Sequence, residues 1–338
     1  MSLLKQNVQL KPYNTFGLDA VARFWLEINS EQAAIEFLTD NIHGAEPLFI
    51  LGGGSNILLT GDFEGVVLYN RILGREIVGE DEKHVWVKAG AGENWHQFVL
   101  FCIENGWGGV ENLSLIPGCV GAAPIQNIGA YGAEIKDVLD HLEAIHLATG
   151  KIHRFSLAEC NMGYRDSIFK QECKGEFLIT RVVFRLSKQP QINTTYGAIG
   201  EELSRIPGPH GIREVSEAVI RIRQSKLPDP AEIGNAGSFF KNPVVSAEIF
   251  ARIKSQYPEV PSFAAEDGQI KIPAAWLIQT CGWKGYREND LGVHKNQALV
   301  LVNYGTAKGR DLLALSTRIM DSVSEKFDLR LEREVNVV

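Results

Sequence analysis

Between residues 17 and 188, short runs of apolar or alternating apolar and polar residues are cut off by glycine and other turn formers. PLFIL, GVVLYN, HVWVKAG, LEAIHLAT, GKIHRFS and GEFLITRVVFRLS each have the length and period of a strand. Two segments among them repeat at helical spacing instead. SEQAAIEFLTDN predicts a helix capped by Ser30, and ENWHQFVLFCIENG one closed by Gly106. Residues 189–212 read as a polar, turn-rich insertion, after which EVSEAVIRIRQSK turns helical. From residue 226 a second unit opens on LPDP. It continues as a strand, helices over SAEIFARIKSQYP and AAWLIQTCGW, the strand QALVLVNYG, and the strongly periodic helix GRDLLALSTRIMDSVSEKFD. That pattern reads as one sheet with helices on it. The closing LRLEREVNVV alternates like a strand, and the fold class throughout is α+β.

Composition narrows the function classes. With 34 Lys and Arg against 41 Asp and Glu in 338 residues, the net charge is −7, which disfavours nucleic acid or an anionic membrane as partner. No apolar run is long enough to span a bilayer, and the N-terminal MSLLKQNVQLKPYN is too polar for a signal peptide. Five cysteines (Cys102, Cys119, Cys160, Cys173, Cys281) form no C-x-x-C pair, as expected of reduced thiols in a cytoplasmic protein. The histidines lack metal-ligand spacing, so no metal site is expected.

Glycine-rich loops carry the chemistry. LGGGSN (51–56) follows a strand but runs into ILLTGDF, another strand-like run, so it is not a Rossmann turn. It reads equally as an anion-binding nest or a tight hairpin. AGAGEN (89–94) is a strand-to-helix turn. IPGCVGAAPIQNIGAYGAEI (116–135) is so dense in small residues that it leaves room for a large planar ligand against backbone. In GNAGSFFKNP (234–243) one hydroxyl, Ser238, is hemmed in by a glycine and two phenylalanines. The nucleophile-elbow pattern G-x-S-x-G fails there.

Several of these stretches occur together in one known family. NTFGLDA (14–20), LGGGSNILL (51–59), GGVENLSLIPGCVGAAPIQNIGAYGAEI (108–135), GYRDSIFK (163–170), KLPDP (226–230), GNAGSFFKNP (234–243), AAWLIQTCGWKG (274–285), HKNQALVLVN (294–303) and LEREV (331–335) stand in family order over nearly the whole chain. The chain thus resembles the UDP-N-acetylenolpyruvoylglucosamine reductases, flavoenzymes of peptidoglycan precursor synthesis. The resemblance implies an FAD-binding domain of the vanillyl-alcohol-oxidase (PCMH) type, made of two α+β subdomains, and a C-terminal α+β substrate-binding domain. The implied boundaries are 1–70 and 71–225 for the subdomains, with a lid insertion at about 189–212. They continue as 226–325 for the substrate domain and 326–338 for a strand returning to the active site.

The resemblance also implies the site. Gly52, Gly53, Gly54, Ser55 and Asn56 would hold the FAD pyrophosphate. Ile116, Pro117, Gly118, Val120, Gly121, Ala122 and Ala123 would line the flavin. So would Gln126, Asn127, Gly129, Ala130, Tyr131, Gly132 and, further on, Ile179. No histidine lies in the glycine loops, so FAD is expected to be non-covalent, with NADPH as co-substrate. TYG at 195–197 resembles the lid of the longer subtype, with Tyr196 as the lid residue. Lys226, Asn242, Lys284 and Gln297 match substrate contacts. In the implied reaction, flavin N5 gives a hydride to C3 of the enolpyruvyl ether, Arg165 and Glu334 stabilise the enolate, and Ser238 protonates C2. On residue pattern alone Ser238 could be a turn hydroxyl and Arg165 a surface cation. Glu332 and Glu334 share a strand face, so only the family match picks Glu334. At 333 this chain has Arg where many relatives have Pro. A monomer is expected. The competing readings are a flavin oxidase or dehydrogenase of the same fold acting on another alcohol or sugar, and a non-catalytic nucleotide-sugar binder.

Overall fold

The computed structural model describes residues 4–40 and 44–338. Asn41, the last residue of the first expected helix, and the first three of the N-terminal stretch lie outside it. The chain forms two compact units. Of the described residues, one comprises 4–8, 22–40, 44–54 and 63–225; the other comprises 9–21, 55–62 and 226–338.

In the first unit a four-stranded sheet runs in the order Lys5–Gln9, Val21–Ile28, Phe63–Asn70, Leu48–Leu51. Its last three strands are parallel neighbours, with Trp25 beside Val67 and Ile50 beside Leu68. The helix Glu31–Thr39 starts where Ser30 Oγ accepts a hydrogen bond from Ala33 N, satisfying an otherwise orphaned donor. Phe37 and Leu38 turn inward onto Leu26, Ile28 and Leu68.

A five-stranded antiparallel sheet follows in the order Ile152–Ser156, Leu139–His146, Phe177–Ser187, His84–Gly90, Arg75–Glu80. The helix Trp95–Glu104 packs on it. Asn94 Oδ1 caps its start, and Gly106, at φ +76°, follows its end. Trp95, Phe98 and Phe184 meet with ring centroids 4.7–5.9 Å apart, each burial being worth on the order of 2 kcal/mol.

The 189–212 insertion is not all turn. Gly197–Leu203 is a helix, and Ile199 and Leu203 form a small core with Val215, Ala218, Val219 and Ile222 of the helix Ile212–Lys226.

The second unit departs from the single sheet expected. A four-stranded antiparallel sheet has the order Gly234–Ser238, Val300–Asn303, Leu291–Val293, Arg287–Glu288, and a separate one joins Val244–Val245, Ile270–Lys271 and Phe263–Ala264. The second sheet's strands are two residues long, too short to show a period. The helices Ala247–Gln256, Ala274–Thr280 and Gly309–Phe327 lie where the pattern placed them. Among the described residues no helix is long and apolar enough to cross a membrane, and no cluster of His, Cys, Asp and Glu could hold a metal.

Candidate active site

In the first unit the strand Leu48–Leu51 delivers the chain into Gly52–Gly54. A Cβ on Gly53 would stand 2.8 Å from the Cα of Gly118, so the two glycine loops touch backbone to backbone. Gly54 (φ +61°) and Gly118 (φ +119°) turn the chain there, a geometry in which successive N–H groups can face one side as an anion nest. The hairpin alternative is not realised, because Leu48–Leu51 pairs with Phe63–Asn70 rather than folding back on residues 57–58.

Within 116–135, Val120 N and Gly121 N donate to Glu93 O and Ala91 O, 2.9 Å each. A side chain on Gly121 would overlap Ala91. These residues therefore offer surface rather than free donors. Asn127, fully buried and left-handed at φ +44°, spends its amide internally. Its Nδ2 donates to Glu134 Oε2 (3.0 Å) and Gly163 O (2.9 Å), and its Oδ1 accepts from Lys136 N (3.0 Å). Asn127→Ala is expected to lower stability by about 3 kcal/mol, because buried partners lose their bonds. Urea unfolding checks this; a midpoint unchanged from native would contradict it.

Arg165 adopts φ +54°, a strained conformation for a β-carbon residue. Its Nη2 donates to Gly129 O at 2.5 Å, and a Cβ on Gly129 would come within 3.0 Å of its Nη1. Gly129 thus makes room for the guanidinium. Tyr131 meets Tyr196 edge-on, with ring centroids 5.2 Å apart, and Tyr196 is 41% exposed.

In the second unit the strand Gly234–Ser238 bulges, pairing Asn235 with Val302 and Ser238 with Val300. Gly237 sits at φ +69°, with its N–H held by Asn235 Oδ1 at 2.9 Å. Phe239 and Phe240 are buried beyond it. Ser238 is partly exposed, and its hydroxyl makes no hydrogen bond to any described residue.

The C-terminal segment runs alongside. Lys241 N donates to Glu332 O, Phe240 bridges Arg333, and Glu334 N donates to Phe239 O at 2.9 Å. Glu334 is therefore fixed one residue along from Ser238 on the adjoining strand. Asn56 Nδ2 reaches Glu334 O (3.3 Å), and Asn336–Val337 pairs in parallel with Ile57–Leu58. Arg333 donates to Ser316 Oγ (2.8 Å) and Thr317 Oγ1 (2.7 Å), anchoring this segment to the helix Gly309–Phe327. Asn242 Oδ1 accepts from Ala274 N (2.9 Å), leaving its NH₂ as a donor. Lys226 and Lys284 are exposed, and Gln297 is partly buried.

Compared with known proteins, the chain is 50% identical over 338 residues to a UDP-N-acetylenolpyruvoylglucosamine reductase of Amoebophilus asiaticus, covering 99% of each. The chain belongs to the UDP-N-acetylenolpyruvoylglucosamine reductase family. A Pseudomonas putida reductase of the same name is 48% identical, with 98% of each covered. A family model for an FAD binding domain matches residues 27–156, and one for the reductase's C-terminal domain matches 229–338. Among solved structures, the family's reductase from Thermus caldophilus superposes with a TM-score of 0.69 at 26% identity, covering 100% of this chain and 99% of that one. The expected fold class and FAD cofactor stand.

Two residues of this reductase escaped the sequence reading. Arg223, partly buried, donates from Nε to Leu115 O at 3.2 Å. Burial pushes its pKa down; Tyr131 pulls it back up and Arg165 adds to the fall. His96 Nδ1 accepts from Leu115 N at 3.0 Å, and burial, then Arg223, push its pKa down. In IRIRQSK nothing separates Arg223 from exposed Arg221, which pairs with Glu217 at 3.2 Å. The available signal was helical spacing, since Arg223 lies seven residues after buried Ser216.

Proposed function

We propose that this chain reduces the enolpyruvyl ether of UDP-N-acetylglucosamine to the lactyl ether, UDP-N-acetylmuramate, with Ser238 as proton donor and Arg165 and Glu334 as stabilisers of the enolate. The observation that carries the roles is the hydroxyl of partly exposed Ser238, without a partner among the described residues and beside two buried phenylalanines.

The touching glycine backbones of the two loops fit a bound pyrophosphate, because a cradle that excludes a Cβ leaves main-chain donors close to the ligand. Gly52, Gly53, Gly54, Ser55 and Asn56 would hold that pyrophosphate, and residues of 116–132 with Ile179 would flank the ring system. FAD bound there would supply the hydride for C3 of the substrate, with NADPH as its reductant. The electron pair left at C2 spreads into the carboxylate, where the Arg165 fork and a protonated Glu334 can donate hydrogen bonds. Ser238 gives its proton to C2, completing addition of hydride and proton across the double bond, and regains a proton from solvent. Lys226 and Lys284 would pair with the diphosphate, Asn242 and Gln297 would orient the ligand, and Tyr196 would close over it.

The division into 1–70, 71–225, 226–325 and 326–338 is kept as the functional assignment, and a cytoplasmic monomer free of membrane is part of the same reading. Incubation with NADPH and the enolpyruvyl nucleotide should give a product heavier by one H₂ in mass spectrometry; consumption of NADPH without that product sinks the assignment.

The cofactor cradle has its own test. Gly53→Ala forces a Cβ against Gly118 backbone, which cannot yield as a side chain tip would. It is expected to weaken FAD binding at least about tenfold, since a displaced loop loses charge-assisted bonds worth on the order of 1.5–3 kcal/mol. The flavin-to-protein absorbance ratio after gel filtration reads it, and a native ratio at low protein concentration would count against the cradle.

A further inference from the structure

Two asparagines stitch the 189–212 insertion to the hairpin that ends the 116–135 segment. That hairpin pairs Gly129 with Glu134 and Ala130 with Ala133 around the two-residue turn Tyr131–Gly132. Both turn residues lie at positive φ, +51° and +81°, as in a type I′ turn, whose first position ordinarily takes Asn, Asp or Gly. A tyrosine there is held against its backbone preference. Asn112, 2% exposed, donates from Nδ2 to Tyr131 O and to Asn193 O, 2.9 Å each. Asn193 Nδ2 donates in turn to Gly132 O at 2.9 Å. Its Oδ1 accepts from Thr195 N (3.1 Å) and Thr195 Oγ1 (2.7 Å). A Cβ on Gly132 would stand 3.2 Å from Asn193 Nδ2, so turn and asparagine fit closely.

The other end of the same hairpin meets Arg165, whose Nη2 donates to Gly129 O at 2.5 Å. A Cβ on Gly129 would come within 2.8 Å of Glu134 Cγ and 3.0 Å of Arg165 Nη1. Gly129 is thus wedged between the opposite strand and the guanidinium, and a tilt of the hairpin displaces a carbonyl that Arg165 uses. The base is pinned, since Asn127 Nδ2 donates to Glu134 Oε2 at 3.0 Å. Strands of two residues supply few bonds of their own, so the tip depends on what grips it from outside. That grip is Asn112, Asn193 and the edge-on contact of Tyr196 with Tyr131. The turn that Asn193 makes with Thr195 leads directly into Tyr196, the residue before the helix Gly197–Leu203.

We propose that Asn193 is a positioning residue of the reductase: by bonding Gly132 O it braces the hairpin whose Gly129 carbonyl holds Arg165, so that the insertion carrying Tyr196 also aims the guanidinium. The inference rests on the reaction assigned above and on the part of Arg165 in it. It gives the insertion a task besides covering the ligand, and couples the placement of residues 193–196 to the placement of Arg165.

The test is a double-mutant cycle read in single turnovers, with hydrogen exchange as a second readout. In Asn193→Ala, return of the reduced flavin with saturating enolpyruvyl nucleotide should slow about 3–10-fold, as for loss of one hydrogen bond, while bleaching by NADPH keeps its native rate. Asn193→Asp keeps an acceptor for Thr195 but has no hydrogen for Gly132 O, so it should slow the return as much as Asn193→Ala does. A native rate in Asn193→Asp would assign the side chain to the turn alone and overturn the brace. Adding Asn193→Ala to Arg165→Gly should slow the return no further, whereas adding it to Tyr196→Ala should still slow it about 3–10-fold, because coupled residues are not additive and independent ones are. Without any ligand, residues 129–134 should exchange faster in Asn193→Ala than in native protein. Unchanged exchange, equal slowing of both half-reactions, a full effect persisting in Arg165→Gly, or no effect of Asn193→Ala would each overturn the proposal. A native flavin that fails to return with the nucleotide sinks the assigned reaction and the inference with it; any of the other contrary results on a working native enzyme sinks the inference alone.

Discussion

Ser238→Ala is expected to split the catalytic cycle in two. Bleaching of the flavin by NADPH should run at the native rate, while its return on adding the enolpyruvyl nucleotide slows about 10²–10⁴-fold, the usual contribution of a positioned general acid. The geometry makes this a clean substitution. The hydroxyl has no partner in the described protein, so its removal orphans nothing, and the bulge is held by Asn235 and Gly237 instead. Thermal stability should stay within about 0.5 kcal/mol of native, as for a change away from packing and buried bonds. Anaerobic stopped-flow traces of each half-reaction separate the outcomes; an undiminished second phase removes Ser238 from the chemistry.

Arg165→Gly should have the second large effect, with an unusual signature. The second half-reaction should fall about 10²–10³-fold, the scale for losing one preorganised donor to a developing oxyanion. Relief of the left-handed backbone should offset part of what is lost with the bond to Gly129 O, so stability should fall by far less than the rate does. Arg165→Lys should restore little activity, since a point charge does not reproduce the fork. Paired measurement of single-turnover rate and denaturation midpoint checks both halves. A variant that is markedly destabilised and catalytically unimpaired would make Arg165 a structural residue.

Much of the fold was legible where its causes are local. Ser30 and Gly106 announce helix ends because capping is decided by the few residues around it, and the helix Gly309–Phe327 shows its period over many turns. The helix Gly197–Leu203 was hidden by two glycines, which lower propensity; it is held instead by the packing of Ile199 and Leu203 on a later helix. The tail was read as one strand, yet its pairing changes midway. Residues 332–334 bond to 239–241, and residues 336–337 to 57–58. Such partners, hundreds of residues away, leave no mark in the local pattern.

The site was legible to different depths. The glycine loops announced close backbone approach, and the contact of Gly53 with Gly118 is that approach realised. Ser238 stood out by its setting, but choosing it as an acid, and Glu334 over Glu332, needed the family pattern. Asn127 looked like a lining residue, and its side chain turns out to hold the loop together. Arg223 was invisible because its bond to the Leu115 carbonyl joins residues 108 apart, which leaves no mark in the local pattern.

The account as a whole is tested most directly by an anaerobic visible spectrum of the purified protein during sequential addition of NADPH and the enolpyruvyl nucleotide. It predicts a flavin band that bleaches with NADPH and returns with that nucleotide in the absence of oxygen. A band that bleaches but returns only when oxygen is admitted would contradict it and favour an oxidase.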